Sequence, residues 1–206
     1  MGYYEDKIGE LGYEVECTFE GSCRVFKAWK GNDAYTIKMP ELDPKCNYST
    51  SLESYRFGLF HLRSEVRALG MTRDMGGIVK MVDYKEWEDK FVENHLNYGI
   101  GRMNLLVRNY VTGTKWDDTD TGFLINASKK LIFIVDELHQ RGLANLDLKN
   151  ENVIVDQFGN PTIIDLGHSL SNDDIFVGLN LQKKEDVFYL KKMLGSDFKS
   201  RRFSRD

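Results

Sequence analysis

The feature that most constrains this chain is a polar segment placed between two strongly apolar patterns. The segment occupies residues 145–152 and reads Asn-Leu-Asp-Leu-Lys-Asn-Glu-Asn. Apolar residues at helical spacing over residues 131–138 predict a helix before it, and the run over residues 153–155 predicts a strand after it. A turn and a returning strand then predict a hairpin that brings Asp165 back towards Asp147. Polar groups on a loop between rigid elements are well placed for chemistry.

Two motifs in this region resemble those of protein kinases. Residues 147–152, Asp-Leu-Lys-Asn-Glu-Asn, match the kinase catalytic loop H-R-D-L-K-x-x-N from its aspartate onward. Asn145 and Leu146 stand in place of its histidine and arginine. Residues 165–167, Asp-Leu-Gly, are similar to the metal-binding D-F-G motif. The order of the two motifs and the hairpin predicted between them imply a protein-kinase-like fold.

The resemblance implies a reduced, two-lobed fold of the α+β class. At 206 residues the chain suits one domain or two small lobes. Residues 1–111 are expected to form an N-lobe with a small antiparallel sheet, one helix and a nucleotide lid. Residues 112–206 are expected to form a truncated helical C-lobe. The sequence has no A-P-E triplet, which closes the peptide-docking segment in kinases, so that segment is expected to be missing.

Composition excludes several classes of partner. The formal net charge of -4 indicates no basic surface for nucleic acid. No apolar run approaches the length of a membrane span, so no membrane association is expected. The three cysteines, Cys17, Cys23 and Cys46, leave one unpaired in any disulfide scheme and indicate a reducing, cytoplasmic compartment. The expected partner is a protein substrate or a regulatory protein.

The beginning of the chain predicts a nucleotide lid. Two alternating stretches joined by a turn predict a hairpin, and kinases place a G-x-G-x-x-G-x-V loop there, whose amides cover the phosphates. Gly21 matches the second glycine and Val25 the valine, whereas Phe19 replaces the first glycine and the third is missing. The resemblance implies that Gly21, Ser22 and Val25 contact the nucleotide under a shortened lid.

A lysine and a glutamate further along predict an ion pair. Lys38 ends the stretch Tyr-Thr-Ile-Lys, similar to the kinase V-A-I-K strand whose lysine binds the α and β phosphates. Glu65 projects on the buried side of a helix with an apolar stripe, and a buried carboxylate needs a cationic partner. We expect that partner to be Lys38, as in the Lys–Glu pair of active kinases. Glu53 is the competing carboxylate, but it precedes the regular part of this helix, because residues 40–54 are expected to form a loop.

Two apolar stretches predict the remaining strands of the N-lobe. Residues 78–84 and 104–110 predict strands separated by a charged connection. The second resembles the strand that leads into the kinase hinge, which implies that backbone groups of Asn109, Tyr110 and Val111 bind the adenine edge. The alternative is an ordinary apolar strand that ends in a turn and binds no ligand, which would have the same sequence.

The predicted C-lobe contains two helices around the polar loop. Asn126 or Ser128 is expected to cap the helix over residues 131–138, and His139 near its end is assigned no catalytic role. A later helix carries Asp186, where the resemblance implies an aspartate that braces the catalytic-loop backbone. The alternative for Asp186 is a carboxylate favoured only by the helix dipole.

The resemblance implies phosphoryl transfer that depends on ATP and Mg²⁺. Asp147 is expected to accept the proton of the attacking hydroxyl, and Lys149 to neutralise charge on the γ-phosphate. Asn152 and Asp165 are expected to coordinate Mg²⁺, since hard cations favour oxygen ligands. Lys38 is expected to orient the α and β phosphates.

Three functions compete at this point. A minimal protein kinase is favoured, and Lys149, two residues after Asp147, favours serine or threonine as the acceptor. A small-molecule kinase of the same fold is the second, because the peptide-docking segment is missing. The third is a pseudokinase that acts as a regulatory binding module, because the glycine-rich loop is shortened. Basic residues before Ser204 also resemble a phosphorylation site.

Overall fold

A five-stranded antiparallel sheet and several helices form the chain in the computed structural model, which agrees with the α+β class. The structure describes residues 2–19, 23–42, 48–96, 101–171 and 179–195. The chain divides into two units. The first contains residues 1–70 and 80–110, and the second contains residues 71–79 and 111–206.

The alternating sequence of the first unit forms the predicted hairpin and third strand. The five strands are β1 (Glu14–Phe19), β2 (Cys23–Lys30), β3 (Asp33–Pro40), β4 (Met81–Glu88) and β5 (Arg102–Asn109). Their spatial order is β1-β2-β3-β5-β4, with every neighbouring pair antiparallel. Gly31 turns β2 into β3 at a φ of 63°, which glycine adopts without steric cost.

Three helices accompany this sheet: α1 (Tyr3–Glu10), α2 (Tyr48–Met71) and α3 (Lys90–Leu96). Two sequence predictions were wrong here. Residues 48–54 belong to α2 rather than to a loop, so Glu53 lies inside the helix. The stretch after residue 84, expected to be a connection, contains the end of β4 and all of α3. Asp89 begins α3, because its carboxylate accepts the amides of Phe91 and Val92 at 2.8 and 3.3 Å.

The two faces of the sheet differ in chemistry. Directly opposed residues of neighbouring strands share a face. Phe26, Ile37 and Val107 form one such row on the apolar face, and the buried core includes Ile8, Ala28, Met39, Leu42, Tyr55, Val92, Met103 and Leu105 as well. The next row, Val25, Lys38 and Leu106, projects on the opposite face. The charged residues considered below lie on that second face.

The second unit contains the long helix that the apolar spacing predicted. α4 runs over Thr121–Gln140, and its buried residues are Ala127, Leu131, Ile134, Val135 and Leu138. The predicted cap was wrong: Asp120 caps the helix by accepting the Gly122 amide at 2.7 Å, and Ser128 donates to the Leu124 carbonyl inside it. Ten residues of helix precede the apolar spacing over residues 131–138, so the spacing alone placed the start too late.

Short strands and a further helix also belong to the described part of the second unit. They are β6 (Thr114–Lys115), β7 (Leu143–Ala144), β8 (Val153–Val155), β9 (Pro161–Ile163), β10 (Leu170–Ser171) and α5 (Leu179–Met193). The predicted hairpin is confirmed, because β8 pairs antiparallel with β9. β6 extends this pair to three strands, and β7 pairs with β10. In the part of the chain that the structure describes, no helix is long and apolar enough to cross a membrane.

Residues 71–79, which the predicted N-lobe included, belong to the second unit. The Val79 amide donates to the Ile163 carbonyl at 3.0 Å, and the Ile163 amide donates to the Gly77 carbonyl at 2.9 Å. Gly77 has a φ of 72°, and a Cβ there would collide with the side chain of Ile134. The chain therefore passes between the two units three times, after residues 70, 79 and 110.

Candidate active site

The ion pair predicted between Lys38 and Glu65 is present in the first unit. Lys38 near the end of β3 places its Nζ 2.8 Å from Oε2 of Glu65 on α2. Both residues are buried, with 7% and 1% of their surface exposed. Glu53, the competing carboxylate, is exposed on the same helix. The contact thus favours Glu65 as the partner.

Arg108 on β5 is a third member of this cluster, which the sequence did not reveal. Its Nη1 donates to Oε1 of Glu65, so the two carboxylate oxygens bind two different cations. Arg108 is 3% exposed. It lies two residues from Leu106, which is opposite Lys38, so Arg108 and Lys38 leave the sheet on the same face. The signal available in the sequence was an arginine that directly follows the apolar run Leu105-Leu106-Val107.

The residues predicted to cover the nucleotide are described in part. Gly21 and Ser22 lie outside the described residues. Val25 on β2 is half-buried and directly opposite Lys38. An apolar residue therefore neighbours Lys38 on the same face of the sheet.

The residues predicted to contact adenine follow β5. The Asn109 amide donates to the Lys80 carbonyl at 3.0 Å, and the Tyr110 amide donates to the Ala34 carbonyl at 3.1 Å. These two donors are engaged within the first unit. Any adenine contact from this segment would depend on its carbonyl groups and on the amide of Val111.

The Asp147 loop of the second unit has an uncommon backbone. Asn145 has a φ of 57° and Asp147 a φ of 47°, both in the left-handed region. Few residues other than glycine adopt this region, and asparagine and aspartate do so most readily. Two such residues in one loop turn the chain sharply between β7 and β8. Such backbone strain is concentrated at functional sites in proteins.

Lys149 and Asp147 form an ion pair on this loop. Lys149 Nζ lies 2.9 Å from Oδ2 of Asp147, with 53% and 24% of the two side chains exposed. The hydrogen bond to Asp147 raises the pKa of Lys149, and the charges of Glu151 and Asp165 raise it further. Lys149 is therefore a firmly cationic group next to a carboxylate that solvent and solutes can reach.

Asn152 and Asp165 are the predicted metal ligands. The Asn152 Nδ2 donates to the Asp147 carbonyl at 2.9 Å and to Oδ2 of Asp147 at 3.4 Å. Since the amide nitrogen is engaged, Oδ1 is the Asn152 atom suited to a cation. Asp165 Oδ1 accepts the Gly167 amide at 2.9 Å.

An amide oxygen and a carboxylate from these two residues are the hard donors that Mg²⁺ prefers. Among the described residues, no three or more His, Cys, Asp or Glu side chains form a group that could hold a metal ion. A Mg²⁺ ion at this site would therefore take other ligands from phosphate or water, as is usual for this ion.

Two further contacts connect the loop to the segment after Asp165. Asn145 Nδ2 donates to the His168 carbonyl at 2.8 Å. His168 Nε2 lies 3.9 Å from Oδ2 of Asp147. Asn145 thus ties the start of the loop to the end of the Asp-Leu-Gly motif. No sequence pattern pointed to His168, which directly follows the Asp-Leu-Gly motif.

Asp186 on α5 makes a hydrogen bond to the loop backbone, which confirms the predicted brace. Its Oδ1 accepts the Leu146 amide at 2.7 Å, and its Oδ2 lies 2.9 Å from Nε2 of His139. Asp186 is 2% exposed. His139, to which the sequence analysis gave no catalytic role, is thus a structural partner of Asp186.

A cavity of about 410 Å³ lies beside Lys149. Its lining is charged and polar and consists of Lys115, Asp117, Asp118, Lys149, Asn150 and Glu151. Asn150 Nδ2 donates to Oδ1 of Asp117 at 2.5 Å, which joins two parts of this wall. Solutes can therefore approach Lys149 from this side.

No family model matches the chain, and no curated protein matches it. The interpretation of function therefore depends on the residues and contacts described above.

Proposed function

We propose that this chain is an ATP- and Mg²⁺-dependent phosphotransferase that transfers the γ-phosphate to a serine or threonine hydroxyl of a protein. The observation that carries the proposal is the cluster of Asp147, Lys149 and Asn152 on one strained and accessible loop. A base, a cation and a metal-binding amide within hydrogen-bond reach of one another are the groups that phosphoryl transfer needs.

The reaction assigns one role to each loop residue. Asp147 accepts the proton of the acceptor hydroxyl through its carboxylate. The hydroxyl oxygen bonds to the γ-phosphorus as the bond from that phosphorus to the β–γ bridging oxygen breaks, and ADP leaves. Lys149, kept cationic by Asp147, balances negative charge on the transferred group. Its raised pKa supports this role, because the ammonium stays charged throughout the neutral range.

Asn152 and Asp165 would hold Mg²⁺, which neutralises charge on the phosphates when bound. The orientation of the Asn152 amide supports this assignment, since its nitrogen is held by Asp147. Asp186 fixes the Leu146 amide and so the backbone immediately before Asp147.

The Lys38–Glu65 pair supports nucleotide binding. Taking two charges out of water costs several kcal/mol per ion unless geometry and further hydrogen bonds compensate. Similar apolar residues at these positions would avoid that cost. A lysine held in a fixed position for the α and β phosphates accounts for keeping the pair.

The cavity beside Lys149 favours a second candidate, transfer to a small molecule. Its volume of about 410 Å³ falls within the range of small-ligand pockets. Its polar lining suits a hydroxylated acceptor as well as a peptide side chain.

The test is incubation with Mg²⁺ and ATP labelled at the γ-phosphate, with and without a generic protein substrate. Wild type is compared with Asp147→Asn and with Asp136→Asn, a matched change on the exposed face of α4. We expect label on protein serine or threonine, lost only in Asp147→Asn. ATP consumption that depends on an added small molecule would favour the second candidate.

Nucleotide binding without transfer to any acceptor would instead favour a regulatory binding module. Absence of both Mg·ATP binding and turnover in folded wild-type protein would contradict the proposed function.

A further inference from the structure

One buried carboxylate in the first unit serves two cations. Glu65 Oε2 binds Lys38 of β3 at 2.8 Å, and Oε1 binds Arg108 of β5. The three side chains are each less than 10% exposed. Since β3 and β5 are adjacent strands, a single residue of α2 is tied to two neighbouring strands of the sheet.

The second bond changes what Glu65 can do for Lys38. A carboxylate held by one ammonium can rotate about its side-chain bonds, because an ammonium is a compact charge with no preferred plane. The Arg108 guanidinium is planar and buried on a strand of the sheet, so its Nη1 donates to Oε1 from a fixed position. Arg108 therefore fixes Oε1, and Oε2 is left aimed at Lys38.

Sharing the carboxylate also affects the charge that Lys38 presents. Arg108 neutralises part of the negative charge of Glu65. Glu65 therefore offsets less of the positive charge of Lys38. In a buried, low-dielectric site such charge effects are stronger than in water. The three side chains together carry one carboxylate and two cations, and this excess of positive charge favours an anionic ligand.

We propose that Arg108 is a positioning residue for the nucleotide: it holds Glu65 so that Lys38 is oriented for phosphate before any ligand binds. This inference rests on the proposed function. Because α2 is fixed by the sheet itself, the Lys38–Glu65 pair forms without nucleotide and without modification elsewhere in the chain.

The test measures Mg·ATP affinity by calorimetric titration in four proteins: wild type, Arg108→Met, Arg108→Lys and Glu65→Gln. If Arg108 acts through Glu65, Arg108→Met weakens binding about tenfold, a coupling of the usual size for residues that share a partner. Arg108→Lys restores part of the affinity, because a cation returns without the planar geometry.

The decisive comparison repeats Arg108→Met in the Glu65→Gln background. There we expect a change of less than about twofold, because the group through which Arg108 acts has gone. An equal loss of affinity in both backgrounds, or no loss in wild type, would overturn the inference. If circular dichroism shows Glu65→Gln to be unfolded, Lys38→Met replaces it under the same criterion.

A matched control separates positioning from general packing. Arg102 lies on the same strand and donates to Glu86 at 3.0 Å, but its side chain is 53% exposed. We expect Arg102→Met to leave Mg·ATP affinity unchanged. A loss of affinity equal to that of Arg108→Met would assign the effect to the strand rather than to Glu65.

A urea-unfolding series separates failure of this inference from failure of the proposed function. We expect the combined Arg108→Met and Glu65→Gln protein to lose less stability than the two single losses added together, because both changes break the same contact. If wild type binds no Mg·ATP but this cycle is sub-additive, the proposed function fails and the hold of Arg108 on Glu65 stands. If wild type transfers phosphate and Arg108→Met behaves as wild type, only the role of Arg108 fails.

Discussion

Two charged clusters, one in each unit, differ in burial. The cluster of Lys38, Glu65 and Arg108 is almost wholly removed from solvent, whereas Lys149 and Asp147 keep 53% and 24% of their side chains exposed. Buried charges are costly without partners, but exposed ion pairs contribute little to stability. The first cluster must therefore stay paired for its unit to fold, and the second can exchange its internal contacts for a ligand.

The backbones of the two clusters differ as well. Lys38, Glu65 and Arg108 project from regular strands and a helix, where packing fixes their directions. The loop relies instead on left-handed Asn145 and Asp147, with Asp186 fixing the residue between them. Packing in the buried core thus fixes the charged side chains that lie on strands and helices. A few specific hydrogen bonds fix those that lie on the loop.

The largest effect that separates the clusters is expected from Asp147→Asn. Loss of a general base lowers kcat by about 10²–10⁴-fold. The free energy of unfolding should change by less than about 1 kcal/mol, because the ion pair with Lys149 is accessible to solvent. Labelled ATP turnover and urea unfolding measure the two quantities. A loss of several kcal/mol in stability would show that the loop depends on its charges for folding, and the comparison would not hold.

Glu65→Gln tests the buried cluster. Both Lys38 and Arg108 lose their carboxylate, and breaking a buried ion pair on one side typically costs about 3–5 kcal/mol. Urea unfolding followed by circular dichroism gives the change in stability. Glu86→Gln is the matched control, since Glu86 pairs with Arg102 in a more exposed contact and should cost less than about 1 kcal/mol. Equal effects of the two changes would refute the distinction by burial.

Asp186→Asn is expected to lower both kcat and the free energy of unfolding, kcat by less than Asp147→Asn and stability by less than Glu65→Gln. Asp186 is buried, yet it accepts the amide next to Asp147. Asparagine can still accept the Leu146 amide but without the charge, so stability should fall by about 1 kcal/mol, the difference between a charged and a neutral hydrogen bond, and kcat should fall with it. Kinetics and unfolding of Glu185→Gln, a change at an exposed neighbour on α5, provide the baseline. Full activity in Asp186→Asn would show that the loop needs an acceptor at this position but not its negative charge.

The smallest effect concerns Asp89, a buried acid of the first unit outside the cluster. Burial opposes a low pKa, but hydrogen bonds to the carboxylate, including those of the Phe91 and Val92 amides, lower the pKa below its usual value. A depressed pKa stabilises the folded state above about pH 4 and loses that effect as pH falls further. Asn is an equally good helix cap, so Asp89→Asn removes the titrating charge and keeps an acceptor for the two amides.

We therefore expect wild type to lose more stability than Asp89→Asn between pH 5 and more acidic conditions. Urea unfolding at several pH values measures this difference. Parallel pH profiles of the two proteins would show that Asp89 contributes no acid dependence.

Local patterns in the sequence predicted much of the fold. The hairpins β1–β2 and β8–β9 follow from alternation and turn residues, and α4 follows from apolar spacing. The pairing of Lys38 with Glu65 followed from the need of a buried carboxylate for a cation, together with the resemblance to the Lys–Glu pair of kinases. The hairpins and α4 depend on residues that are close in sequence, and the ion pair is one contact between distant residues.

The features that were missed depend on which distant segments are neighbours. Arg108 reaches Glu65 because β5 inserts between β3 and β4, a strand order that local patterns do not encode. α1 and α3 were missed because both are short and derive their stability from packing. His139 was missed because its partner Asp186 lies on another helix.

Residues 71–79 belong to the second unit although they lie between two segments of the first, and this limits how the protein can be cut into fragments. A fragment ending at residue 110 would contain these residues without Ile163, their hydrogen-bond partner. Ile78 and Val79, both buried in the full chain, would then be exposed together with unpaired backbone. Such an edge invites aggregation. Recombinant dissection should therefore replace residues 71–79 with a polar linker, and supply the natural segment only to fragments that contain β9.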